Sequence, residues 1–150
     1  METLTLGHGH RPGQTLKNGS TQADRKYVDF IVSGQSLGQT FGLPDFDLIG
    51  IFGWTENNDE ENKQLDEFLG KRSSDLETGR TMFYVCPECG DIGCGAITAK
   101  IVMTENKVIW KDFGYENNYN EPTLADYKAI LPLEFDKADY VKTLEKLRRL

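Results

Sequence analysis

The sequence predicts an α+β domain: a mostly antiparallel sheet with about two helices, the C-terminal helix packed on the sheet. Three observations lead to that class. Short runs rich in β-branched and aromatic residues recur at 81–86, 96–103 and 107–115, with turn residues between them. Leu65, Phe68 and Leu69 sit at helical spacing behind an acidic stretch. Tyr140, Val141, Leu144 and Leu147 form a second helical stripe towards residue 150.

Residues 1–24 are rich in Gly, Thr, Gln and Asn and poor in large apolar groups. They read as a flexible N-terminal arm, with at most a short edge strand at Leu4 and Leu6. Residues 25–150 read as one domain. From Tyr27, alternation places Val28, Phe30 and Val32 on one face of a strand, with Tyr27, Asp29, Ile31 and Ser33 on the other. Gly34 stops that strand. Ser36–Phe41 fits a short turn or strand, and the run from Asp47 to Trp54 fits a buried strand, since its two glycines disfavour a helix.

Thr55 to Gly70 holds six acids and one lysine. A helix over about 58–69 accounts for it, with its acids towards the positive end of the dipole and Gly70 past its end. Thr81–Cys86, Ala96–Met103 and Lys107–Tyr115 form a three-stranded meander, the last two joined at Thr104-Glu105-Asn106. Residues 116–134 read as loop, with Pro122 and Pro132 as breakers. Asp136 suits the N-cap of the last helix, and Lys142, Lys146, Arg148 and Arg149 suit its negative end.

Charge and composition narrow the function. The 150 residues carry 17 basic and 24 acidic side chains, a net of −7. That balance argues against nucleic acid or an anionic membrane as partner, and it suits a basic protein partner. The first residues lack a basic segment followed by an apolar one, and no apolar run approaches membrane-spanning length. Three clustered cysteines do not make a secreted disulfide framework. The cytoplasm is the expected compartment.

The chemically distinctive segment is CPECGDIGCG at 86–95. Its first half, Cys86-Pro87-Glu88-Cys89-Gly90, is a zinc-knuckle sequence: a tight turn that aims two thiolates at one ion. The second half keeps Cys94-Gly95 but has Asp91 where the first half has cysteine. Zinc would take Cys86, Cys89 and Cys94 plus a fourth ligand, either Asp91 or one of His8 and His10, which share a face if their segment is extended. Against zinc, the two halves abut rather than standing apart. A redox pair is the second reading, although Glu88 and Asp91 add negative charge that disfavours thiolates. A glycine-shaped loop with small buried cysteines is the third.

Tyr115, Glu116, Asn117, Asn118 and Tyr119 combine aromatic area with adaptable polar groups and suit a protein-binding patch. Trp54 and Trp110 fit the core. Phosphate-loop, dinucleotide, zinc-protease and serine-hydrolase signatures are absent, and the two histidines lie in the arm.

The strings YVCPECGDIGCGAITAKI and VIWKDFGYENNY, within 84–119, resemble an uncharacterised family of small bacterial proteins. That family shares a Cys-Pro-Glu-Cys-Gly-Asp…Gly-Cys-Gly turn and a Trp-x-Asp-Phe-x-Tyr-Glu-Asn strand, here Cys86–Gly95 and Trp110–Asn117. Some members are loosely labelled oxidoreductases. The resemblance implies a bacterial cytosolic protein and supplies no reaction. The expected function is a non-enzymatic binding module of immunity or antitoxin type, with a zinc-thiolate or thiol-redox protein as the alternative.

Overall fold

A computed structural model describes residues 1–90, 92–117, 123, 130 and 132–149. It is α+β with antiparallel sheets. Strand β1 is Leu4–Arg11, and the short β2 (Gln14–Thr15) and β3 (Thr21–Gln22) form a hairpin. Next come β4 (Arg25–Val32), β5 (Gln35–Ser36), helix α1 (Leu37–Thr40) and β6 (Ile49–Gly50). Helix α2 is Asn58–Phe68, followed by β7 (Thr81–Val85), β8 (Ala96–Met103) and β9 (Lys107–Glu116). Strand β10 (Leu133–Asp136) and helix α3 (Lys137–Glu145) complete the order. One sheet runs β1-β4-β5 and the larger β10-β9-β8-β7-β6.

The expected meander is β7-β8-β9, with Met103 opposite Val108 beside the 104–106 turn. Both expected helices form. Asn57 caps α2 by accepting from the Glu60 amide, and Asp136 caps α3 by accepting from Asp139. The expected flexible arm is corrected: all of Leu4–Arg11 pairs with β4, Leu4 opposite Val32 and Arg11 opposite Arg25. Its glycines serve the pairing, since Tyr27 lies across Gly9 and Ile31 across Gly7. The loop expected over 116–134 ends instead in β10, which pairs with β9.

The run from 47 to 54 is a strand for two residues only. Its backbone then joins the two sheets: the Ile51 amide donates to Phe83 O at 3.2 Å, and the Val28 amide donates to Phe52 O at 2.9 Å. Gly50 permits the approach, because a Cβ there would lie 2.2 Å from Val28 O. One apolar core spans both sheets and both long helices. Its centre is aromatic: Trp110 lies 4.8 Å from Phe83, 4.7 Å from Phe135 and 5.3 Å from Phe30 between ring centroids. The Tyr140 hydroxyl donates to Phe68 O at 2.7 Å and accepts from Trp110 Nε1 at 3.1 Å, which locks α3 to the end of α2. Among the described residues, no helix is long and apolar enough to cross a membrane.

Two acids of the segment 55–70 are answered from within the chain. Arg149 meets Glu61 at 2.8 Å and Arg148 meets Asp66 at 2.9 Å. The positive charge at the end of α3 therefore matches α2 as well as its own dipole.

Candidate metal–thiolate centre

Strand β7 delivers the chain into the 86–95 loop and β8 carries it away. The Gly90 amide donates to Cys86 O at 2.8 Å, closing a turn that carries Cys89 round towards Cys86. The Gly95 amide donates to Ile92 O at 2.9 Å and closes a second turn over Cys94. Gly95 is required twice over: its φ is +92°, and a Cβ would lie 2.0 Å from the Tyr115 hydroxyl. The three sulfurs of Cys86, Cys89 and Cys94 all fall within 4.8 Å of one another. Cys86 is half-buried, and the other two are exposed. The Cys89 and Cys94 Sγ atoms are in bonding contact, with their Cα atoms 7.3 Å apart.

Two arginines of the first sheet hold the residues between the first two cysteines. Arg25 Nε donates to Pro87 O at 2.9 Å, and its guanidinium lies 4.8 Å over the Trp54 ring. Arg11, 9% exposed, meets Glu88 at 2.7 Å and the Asp47 carboxylate at 2.8 Å. The Ala23 amide also donates to Glu88. The Arg11 hydrogen bond, followed by that of Ala23, holds the Glu88 carboxyl below the usual range. The Glu88 charge beside the thiols is thus bound to a cation.

Among the described residues, the cluster comprises the three cysteines alone. Asp91 lies outside the described residues. His8 and His10 share one face of β1 and are exposed, and His10 is bonded to Asp24 at 2.8 Å. Neither joins the sulfurs. Arg11, on the opposite face of the strand, is the side chain that reaches the turn.

Of the five expected partner-binding residues, Tyr115, Glu116 and Asn117 are described. Tyr115 is 37% exposed and covers Gly95. Glu116 is corrected: it is 5% exposed, accepts from Thr78 and Thr98 hydroxyls and pairs with buried Arg80 at 3.3 Å. Asn117 is half-buried, while Asn118 and Tyr119 lie outside the described residues. Trp110 is core as expected; Trp54 instead sits beside the cysteine turn, its Nε1 donating to Gly50 O.

Residues remote in sequence add a second feature. Cys89, Gly90, Trp54 and the face of α2 enclose a cavity of about 540 Å³. Neither Arg11 nor Gln64, which lines that cavity, carries a sequence signal for such a place; only their positions in the fold reveal it. No protein-family model, no curated protein and no solved structure matches the chain.

Proposed function

We propose that this chain is a metal–thiolate protein whose 86–95 loop holds one thiophilic ion, zinc before others, through Cys86, Cys89 and Cys94. One observation carries the reading: three sulfurs within 4.8 Å of one another on a single loop. A tetrahedral ion with zinc–sulfur bonds of about 2.3 Å sets its sulfurs about 3.8 Å apart. The Cα separation of 7.3 Å also favours an ion between these two thiolates, since disulfides span about 4.4–6.8 Å. Three thiolates leave the fourth position to Asp91 or to an incoming ligand.

A second reading, a thiol–disulfide switch, draws on the bonding contact of Cys89 with Cys94 and the third thiol of Cys86 nearby. Cobalt titration of the fully reduced protein separates the two. The metal reading expects one equivalent of Co(II), an intense sulfur-to-cobalt charge-transfer band, displacement by zinc and loss of the band in Cys89→Ser. Reduced protein that takes up neither ion, yet forms one disulfide on oxidation, would leave the switch as the better account. The binding-module reading has less behind it, because Glu61 and Asp66 are already paired with Arg149 and Arg148.

A further inference from the structure

Beside the cysteine turn, the cavity between α2, β7 and Trp54 has the size of a small-molecule site. Its volume of about 540 Å³ lies inside the usual range of roughly 300–1,000 Å³. Its apolar wall is Ile51, Met82 and Val85. Its polar wall is the exposed-to-buried run of α2, where Glu60, Glu61 and Gln64 follow one another at helical spacing.

Gln64 is the group that the fold leaves unexplained. It is 6% exposed, and its Oε1 has no hydrogen-bond partner among the described residues. Such a buried acceptor costs about 1–3 kcal/mol unless a donor reaches it. No hydrogen bond pins the amide among the described residues, and the terminal torsion of glutamine is broad. Gln64 lines the cavity, and a turn of that amide is what would bring Oε1 to it.

The charge of the lining selects the donor. Glu61 is spent: its oxygens accept from the Gly53 amide and the Thr55 hydroxyl, and Arg149 pairs with it. Arg25 gives its Nε to Pro87 O and its face to the Trp54 ring and keeps its positive charge, which sets it against one of the free carboxylates of the lining. Glu56 and Glu60, which also line the cavity, make no side-chain hydrogen bond or ion pair among the described residues. With Arg25 set against Glu56 and Glu60, one negative charge is left over, beside a buried acceptor and an apolar wall.

We propose that this cavity binds a small organic cation bearing N–H donors, of the amidinium, guanidinium or primary-amine class. Its donor edge meets Gln64 Oε1, Glu56 and Glu60 balance its charge, and its carbon frame lies on Ile51, Met82 and Val85. Cys89 of the proposed metal site also lines this cavity, but none of the groups assigned to the cation is a thiolate.

Benzamidine is a suitable probe, with benzamide as its uncharged counterpart and benzoate as the opposite charge. Two-dimensional amide NMR of the reduced full chain follows the Gln64 side-chain amide and the Trp54 indole N–H. Benzamidine is expected to shift both with saturation near about 1 mM, while benzoate leaves them unmoved and benzamide binds more weakly. Gln64→Leu removes the orphan acceptor without leaving a buried polar atom, so the variant is expected to fold and to bind about tenfold more weakly. Glu60→Gln should weaken binding and flatten its salt dependence. Absence of saturable shifts, equal binding of benzoate, or unchanged affinity in folded Gln64→Leu would overturn the proposal. Each readout is made without added metal, so failure of the metal reading leaves it standing.

Discussion

Replacing Glu67 by glutamine removes one buried charge and nothing else of consequence. Glu67 lies on the last turn of α2, 7% exposed. Burial, reinforced by Asp75, raises its carboxyl from 4.5 to about 7, against the opposing pull of Arg72 and a hydrogen bond with Thr81. The unfolded chain releases this proton near the lower value and the folded chain near the higher. Between the two, the folded state holds the extra proton, so stability is full below pH 4.5 and falls as pH rises to about 7. A shift of that size, at about 1.4 kcal/mol per pH unit, amounts to about 3 kcal/mol. Glutamine keeps the shape and stays neutral. Urea unfolding of both proteins from pH 4 to 8.5 should give equal stabilities at the acid end. Above pH 7 the variant should be the more stable by about 3 kcal/mol. Taking the difference cancels the opposite trend of Glu88 and Glu145, whose carboxyls hydrogen bonds from Arg11 and Arg148 lower. A difference that stays flat across the range would refute the buried charge.

Three further expectations concern the turn and its supports. Gly95→Ala should destabilise by about 3 kcal/mol through the positive φ and the clash with Tyr115; in Gly95→Ala/Tyr115→Ala the steric share should return, leaving about 1–2 kcal/mol of backbone cost by urea unfolding. Arg80→Met strands buried Glu116 and should cost about 3–5 kcal/mol, much of it recovered in Arg80→Met/Glu116→Leu. Arg11→Ala releases Glu88 and should weaken zinc affinity at least about tenfold in a chelator competition, with cobalt stoichiometry unchanged.

Locally coded elements were legible in the sequence. Strands β7, β8 and β9 announce themselves by runs of β-branched and aromatic residues, and the helices by their apolar stripes, with Asp136 as the cap of the second. The cysteine cluster is legible for the same reason, because all its members lie within nine residues of chain. What long separation creates was hidden. Strand β1 resembles an arm because Gly7 and Gly9 look like flexibility until Ile31 and Tyr27 are laid across them. The Arg11–Glu88 bond spans 77 residues, and no spacing rule reaches that far. Two acids of α2, Glu61 and Asp66, look free until Arg149 and Arg148 reach them from more than eighty residues away. Glu116 looked available because its strand position could not disclose Arg80 beneath it.

The stitching of β1 to the last helix has a bearing on how the chain is made. Thr143 Oγ1 donates to Leu4 O across 139 residues, and the Glu2 amide donates to Glu134 O. Strands β1 and β4 are both synthesised about a hundred residues before α3, so in the nascent chain their apolar residues are without that cover, and a two-stranded ribbon alone is marginal. The core closes only after residue 144 has left the ribosome, when Tyr140 and Leu144 can dock. Synthesis at about 5–20 residues per second puts about 6–22 s between the end of β4 and residue 144. During that interval the emerging chain is open to wrong pairing, and its late-arriving helix acts as the latch that ends the exposure.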